Sequence, residues 1–216
     1  MRFKDVSFPD PQQNIAFDEE LLRLADKERA GPALRFWESP RVFIVVGRIG
    51  KIEEDVKVKV AESDGVPILR RASGGGTVVQ GPGCLNYTLV LSKQEHPVLN
   101  DLRRSYAWIS QKVIDALKPL GVEAVFRSVS DIAVAGSEKK FSGNAQKRGK
   151  NYVLHHGTIL YNFDLSLISR YLTIPKDVPA YRQGRSHTDF VTNIPIDPVA
   201  FKVNMCRAFD PFGLLP

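Results

Sequence analysis

Apolar positions along the chain fall into short runs and helical spacings, seldom into long blocks. Met1 to Phe8 alternates as a strand that Pro9-Asp10-Pro11 stops. Asn14 to Arg29 places Ile15, Phe17, Leu21, Leu22, Leu24 and Ala25 at roughly helical intervals. That spacing predicts an amphipathic helix whose acidic stretch Asp18-Glu19-Glu20 faces solvent near the positive end of the dipole. Leu34 to Trp37 and Val42 to Val46, separated by Ser39-Pro40, predict a hairpin closed by Gly47-Arg48. Lys51 to Ser63 reads as a charged helix with Ile52, Val56 and Val60 on one face, although Val-Lys-Val-Lys-Val also alternates like an edge strand. Val66 to Arg71 and Thr77 to Gln80 are expected as strands, which would put Gly74-Gly75-Gly76 between paired strands, and Leu85 to Leu91 as another.

Leu102, Tyr106, Ile109, Val113, Ala116, Leu117 and Leu120 recur at intervals of three and four, predicting the longest helix over 99–120, ended by Pro119 and Gly121. Strands follow at Ala124 to Arg127, Asp131 to Val134, Lys140 to Gln146 and Tyr152 to Tyr161. A helix at Leu165 to Leu172, a polar loop from Tyr181 to His187 and a helix from Pro198 complete the pattern. Helices interspersed with many short strands predict an α+β domain built on a mixed, mostly antiparallel sheet.

The 216 residues suit one compact unit with a substantial core, so 1–216 are read as a single domain. Hydrophobic residues at 43% and charged residues at 25% fit a soluble globular chain and exclude disorder. The first ten residues hold no apolar leader, and Val42 to Val46, the longest strongly apolar run, is too short for a membrane span. Two cysteines are too few for a disulfide framework or a zinc site and point to the cytoplasm. Thirty basic against twenty-four acidic side chains leave +6, locally dense at Lys139, Lys140, Lys147, Arg148 and Lys150. That excess suits an acidic protein partner; neither nucleic acid nor a membrane is expected.

The chemistry concentrates in Arg70-Arg71-Ala72-Ser73-Gly74-Gly75-Gly76-Thr77-Val78-Val79-Gln80-Gly81-Pro82-Gly83-Cys84-Leu85-Asn86-Tyr87. Two guanidinium groups lead into three glycines, where backbone N–H groups without a neighbouring Cβ can approach an anion closely. A hairpin using glycine only for positive φ has the same string. Further on, His155 and His156 are adjacent on a strand and must point to opposite faces, so at most one meets a ligand and the pair does not grip a metal. One of them is expected to order the sheet through a hydrogen bond.

These stretches resemble the lipoate-protein ligase A family, which groups with biotin ligases and octanoyltransferases. The resemblance rests on the arginine, serine and triple-glycine run, on Ser130-Asp131-Ile132, on Lys139-Lys140-Phe141-Ser142-Gly143-Asn144-Ala145-Gln146, and on Leu154-His155-His156-Gly157-Thr158-Ile159-Leu160, in the family's order. It covers about Phe8 to Asp164. It implies a central sheet curled around an acyl group with helices outside. It also implies activation of lipoate with ATP and Mg²⁺ to lipoyl-AMP, then transfer to a lysine of a lipoyl domain or a glycine-cleavage H protein. Carried over residue by residue, Lys140 is the catalytic ammonium, Asp131 serves the metal and nucleotide, and Arg71, Ser73 and Gly74, Gly75 and Gly76 hold acyl and phosphate groups. Val78 and Asn86 join the pocket, as do Ser142, Gly143 and Ala145 from the lysine loop and His156, Gly157 and Thr158 from the histidine strand. Of Val78 and Val79, strand alternation predicts that only one lines the acyl tunnel.

The chain departs from the family at Gln80-Gly81, where His-Asp is common, and at Cys84, where Asn is common; Gly81-Pro82-Gly83 is similar to the octanoyltransferases. Cys84 therefore opens an alternative, acyl transfer through a thioester without ATP. A lipoyl-AMP-binding module without catalysis is a further one. No C-terminal accessory domain of the kind many of these ligases carry is expected after Asn193, so a separate accessory subunit is a candidate partner.

Overall fold

The computed structural model describes residues 1–28, 30–175 and 178–210. Its strands are β1 (Arg2–Asp5), β2 (Ala33–Trp37), β3 (Phe43–Val46), β4 (Ile68–Arg70), β5 (Val78–Gln80), β6 (Cys84–Ser92), β7 (Ala124–Arg127), β8 (Asp131–Val134), β9 (Lys140–Arg148) and β10 (Tyr152–Leu160). The helices are α1 (Pro11–Glu28), α2 (Ile52–Asp55), α3 (Val58–Ser63), α4 (Leu102–Leu117), α5 (Ser166–Tyr171), α6 (His187–Phe190) and α7 (Pro198–Phe209). A seven-stranded sheet runs β1-β2-β6-β10-β9-β8-β7 and a three-stranded sheet runs β4-β3-β5. Only β1–β2 and β3–β4 pair in parallel, so the mixed, mostly antiparallel α+β architecture is as expected.

Alternation along the strands divides the large sheet into two working faces. One carries Tyr87, Leu89, Phe141 and Ile159 into a core with Ile109, Val113 and Phe201 of α4 and α7. The other packs Ala33, Val90 and Leu154 under Leu21, Leu22 and Ala25 of α1. Beyond α1 this second face borders the cavity described below. Among the described residues no helix is long and apolar enough to cross a membrane.

Four local expectations are corrected. The strands at 34–37 and 42–46 are not a hairpin, because β2 pairs with β1 and β6 whereas β3 pairs with β4 and β5. Every residue of both is buried, so each needs neighbours on two sides and not a single ribbon partner. The helix over 51–63 is broken at Val56, whose extended backbone bridges Leu172 while Lys57 N donates to the Tyr171 carbonyl. β4 and β5 do not pair with each other, since β3 lies between them, so the glycine loop crosses the end of β3. In α1, Asp18 is buried instead of facing solvent. The expected end of that helix at Arg29 falls outside the described residues.

The helix expected to be the longest, α4, is shorter than α1 and starts later than its apolar spacing suggested. Asp101 accepts from Arg104 N (2.7 Å) as its N-cap, and a left-handed Gly121 (φ 76°) closes the tight turn after it.

Candidate active site

A cavity of about 590 Å³ lies between the two sheets, within the size range of small-molecule sites. Its floor is one row of cross-strand partners on the large sheet. Asp131 pairs with Gly143, Gly143 with Thr158, Thr158 with Asn86, and Asn86 with Trp37. Directly paired residues point to one face, so this row and the next, Ala145 and His156, present their side chains together. The roof comes from Arg71 to Ser73 and Gly75 to Gln80 of the glycine loop and β5; Gly74, expected in the site, does not line it and serves by accepting from Arg71 through its carbonyl.

At the β8 end, Lys140 Nζ sits 2.7 Å from Asp131 Oδ1 and the Tyr181 hydroxyl donates to Asp131 Oδ2 at 2.7 Å. Burial and the Asp131 charge both push the Tyr181 phenol up, so it stays a donor. The polar loop over 181–187 thus belongs to this site, with Arg182 and His187 on its wall. Lys139, just ahead of β9, does not line the cavity, which separates the two adjacent lysines.

The glycine loop is shaped by Arg71, which is 8% exposed. Its Nε donates to Ser73 Oγ (3.0 Å), Nη1 to the Val45 carbonyl (3.3 Å), and Nη2 to the Gly74 and Gly76 carbonyls (2.7 and 2.8 Å). Most of the fork is therefore engaged by its own loop, and burial pulls the guanidinium down to about 10. Gly75 adopts φ +87°, where a side chain would be strained and would press on Arg71 Nη2.

From Arg71 a directed chain of polar contacts continues. Arg71 can only donate to Ser73, and Ser73 Oγ lies 2.7 Å from His156 Nε2. His156 Nδ1 faces Asp18 Oδ2 at 3.9 Å, an ion-pair separation beyond hydrogen-bond length. Asp18 also accepts from Arg35 Nη1 (2.7 Å), Thr88 Oγ1 (2.8 Å) and Trp37 Nε1 (3.2 Å). His156 is thus the histidine on the cavity side. His155 is fully buried on the other face, 3.1 Å from Gln146 Nε2 and 3.2 Å from Asn144 Oδ1, and burial with the neighbouring His156 lowers it to about 3.

The family-derived residues divide by face. Gly143, Ala145, His156, Thr158, Asn86 and Asp131 are brought together on the cavity side. Ser142 borders the cavity too, but its hydroxyl is buried (the residue is 1% exposed) and accepts from Asn144 Nδ2 at 3.3 Å. Gly157 also borders the cavity, and its far side is closed: a Cβ there would run into Asn144 Oδ1 and the Tyr87 hydroxyl, which hydrogen-bond each other. Val78 packs with Trp37, Phe43 and Val45, and Val79 with Ile44, Cys84 and Leu172, yet both reach the cavity. The expectation that one alone would line it fails: β5 is the edge strand of the small sheet, and both of its valines reach the cavity.

Cys84 is 0% exposed inside an apolar cluster, and burial raises its thiol far above the ordinary range. Cys206 is buried in the α4–α7 core. Neither is a competent thiolate. For a metal, no group of three or more His, Cys, Asp or Glu side chains assembles among the described residues. Asp131 can offer one carboxylate, which suffices for Mg²⁺ when substrate phosphates complete the shell, although its oxygens here already accept from Lys140 and Tyr181.

Residues 10–202 match the model of the lipoyl protein ligase A/B catalytic domain. The chain belongs to that family. A probable lipoate-protein ligase A from Mycoplasma genitalium is 33% identical over 85% of this chain and 53% of its own length. An octanoyltransferase LipM from Carboxydothermus hydrogenoformans is 31% identical over 79% of this chain and 68% of its own. Among solved structures, a lipoate-protein ligase A bound with ATP superposes with a TM-score of 0.77 at 26% identity, covering 97% of this chain and 84% of that one. The chain therefore spans about half the length of the Mycoplasma protein. Within the lipoyl ligase fold, Asp18, Glu19, Arg35, Gln80 and Tyr181 are among the site-lining or site-supporting groups that sequence reasoning had not assigned. Glu19 borders the loop, accepting from Ala72 N at 2.9 Å and lying 3.7 Å from Lys147.

Proposed function

We propose that this chain forms the catalytic unit of an ATP-dependent lipoate-protein ligase, with residues 1–216 working as one domain. The observation that carries this reading is an ammonium, Lys140, held by Asp131 at the edge of a large acyl-sized cavity that no usable thiol enters. In the first step a lipoate carboxylate oxygen attacks the α-phosphorus of ATP and pyrophosphate leaves. In the second the ε-amine of an acceptor lysine attacks the acyl carbon, the bond to AMP oxygen breaks, and the amine loses its proton to solvent. Lys140 offsets the negative charge gathering on the bridging oxygen, and the glycine loop excludes water from the acyl phosphate. Mg²⁺, met by Asp131, would supply charge neutralisation between the phosphates. The acceptor is a lipoyl domain or H protein, and a separate subunit assisting adenylation is part of the proposal.

The family also contains octanoyltransferases, so the distinguishing experiment compares acyl donors. Purified protein is incubated with an apo lipoyl domain and either lipoate, ATP and Mg²⁺ or an octanoyl thioester without ATP, and the acceptor mass is followed. The proposal expects gain in the first mixture only. Gain only from the thioester overturns it in favour of transfer without adenylation, and tight lipoyl-AMP binding without any gain makes the chain a binding module.

A further inference from the structure

The surroundings of the cavity are uneven in charge. On the α1 side Lys147 stands 3.7 Å from Glu19, and on β7 Arg127 is paired with Glu138. At the start of α4 the balance is different. Arg103 and Arg104 are exposed, and neither guanidinium has a hydrogen bond or ion pair among the described residues. Asp101, the carboxylate beside them in the chain, is engaged as the N-cap, accepting from Arg104 N at 2.7 Å. Arg148, which reaches the same end of the helix, is held by the Leu99 carbonyl and Gln146 Oε1, and neither of these offsets its charge.

The two exposed arginines border a groove that runs into the active-site cavity. Arg103, Arg104 and Ala107 of α4 line it with Phe126 of β7 and with Ser128 and Val129 of the following turn. Ser128 and Val129 line the groove and the cavity alike, and Val129 is 57% exposed. Two residues beyond Val129, Asp131 holds Lys140. Between them the Ser130 carbonyl accepts from Asn144 N (3.0 Å) and Asn144 Nδ2 (2.8 Å), which ties the edge of the groove to β9.

The second step of the reaction requires a protein at this mouth. An acceptor lysine has only a four-carbon stem between backbone and amine, so the acceptor's own surface must seat on the rim while the amine lies beside the acyl carbon. We propose that the groove between α4 and β7 is the docking surface for the acceptor protein, and that this partner is acidic around its lysine: carboxylates flanking the lysine meet Arg103 and Arg104, and an apolar side chain covers Val129. The proposal rests on the reading of this chain as a catalyst that acylates a protein lysine. Opposite charges in this place speed encounter and fix the direction from which the lysine enters. Lying at a wet rim, they weaken as salt is raised.

The test separates docking from chemistry. Equilibrium binding of an acidic apo lipoyl domain to the whole chain is measured by calorimetry, for wild type and for Arg103→Glu combined with Arg104→Glu. Transfer from preformed lipoyl-AMP is followed to that domain and, separately, to hydroxylamine. Glutamate in the first turn suits a helix N-terminus, so the reversal should leave α4 intact; Arg103→Gln with Arg104→Gln serves if the reversed variant does not fold. Wild type should bind the domain with an affinity that falls as salt rises. The reversed variant should bind it about tenfold or more weakly, with KM for the domain raised alike, kcat at saturating domain near wild type, and hydroxylamine transfer unchanged. A domain whose flanking carboxylates are changed to lysine should prefer the reversed variant. Unchanged affinity for the domain in that variant overturns the proposal, as does a loss that extends equally to hydroxylamine. An effect confined to ATP-dependent adenylation assisted by a separate subunit also overturns it and makes the groove that subunit's seat. A wild type that binds the domain but transfers nothing from lipoyl-AMP overturns the ligase reading alone, since the binding comparison still decides the docking surface.

Discussion

Lys140 Nζ and Asp131 Oδ1 stand 2.7 Å apart, one on β9 and one on β8, with the Lys140 side chain still 27% exposed toward the cavity. The aspartate fixes the ammonium without enclosing it, so the lysine is free to exchange partners with an anionic ligand. Lys140→Ala should reduce acyl transfer by about 10²–10³ with the fold intact, while Lys139→Ala stays near wild type. Lys140→Arg should recover only part, because a planar fork sets its charge differently. Equal mild losses for both alanine variants in a single-turnover transfer assay would detach this lysine from the chemistry.

A second expectation concerns the thiol. Cys84→Ala should preserve ATP-dependent transfer and cost about 1 kcal/mol of stability as a small core deletion, and the native protein should resist alkylation at Cys84 until denatured. Trapping of an acyl thioester on Cys84 by mass spectrometry would contradict this and restore the thioester route.

His155 makes stability depend on pH. Its imidazole stands at about 3 in the fold against 6.5 as a free group, chiefly because burial disfavours the charged ring. The unfolded chain therefore binds an extra proton below pH 6.5, so this contribution is complete above that pH and declines as pH falls toward 3. Its limiting slope is about 1.4 kcal/mol per pH unit. Urea unfolding from pH 7 to pH 5 should lose more stability in wild type than in His155→Gln; parallel losses would show that the ring is not the titrating group.

Much of this was legible in the chain because spacing constrains pairing. The β7–β10 strands, α4 and the motif residues emerge from alternation and from runs such as Lys140 to Gln146. What spacing hides is which sheet a strand joins. Two fully apolar runs, 34–37 and 42–46, look like a ribbon, and only the presence of β6 and β5 separates them. Asp18 was misplaced because its acidic neighbours suggested a wetted face, yet Asn14, Asp18, Leu21, Leu22 and Ala25 follow one helical stripe. Arg35 inside Ala33-Leu34-Arg35-Phe36-Trp37 was the matching signal, since a charge in a doubly buried strand requires a partner. Arg71 was recognised as a site residue, but its hydrogen bonds to Gly74 and Gly76 depend on a loop conformation that no residue spacing encodes.

Gly157 yields a backbone-level prediction. Gly157→Ala should destabilise strongly, because the new methyl group meets Asn144 Oδ1 and the Tyr87 hydroxyl within a buried pair that cannot retreat. Gly76→Ala meets open space and should fold normally. Thermal melts of the two variants decide it, and similar melting temperatures would refute the far-face role of Gly157.

The last prediction concerns the buried pair behind His156. Arg35 is 0% exposed and Asp18 3%, and they are joined at 2.7 Å. The guanidinium is further held by the Asn14 carbonyl and side chain and by the Val6 carbonyl, with Phe17 and Trp37 rings near its plane. Removing one charge strands the other away from water, which typically costs 3–5 kcal/mol, so Asp18→Ala and Arg35→Ala should each be severely destabilised in urea titrations. An apolar double replacement, Asp18→Leu with Arg35→Met, removes both charges together and should recover a large part of the loss. Recovered stability without recovered ligand affinity would then separate the two duties of Asp18: it holds α1 on the sheet through Arg35, and it faces His156 at the cavity wall. If the double variant is no more stable than the single ones, the pair is held by its hydrogen-bond geometry and not by mutual charge compensation.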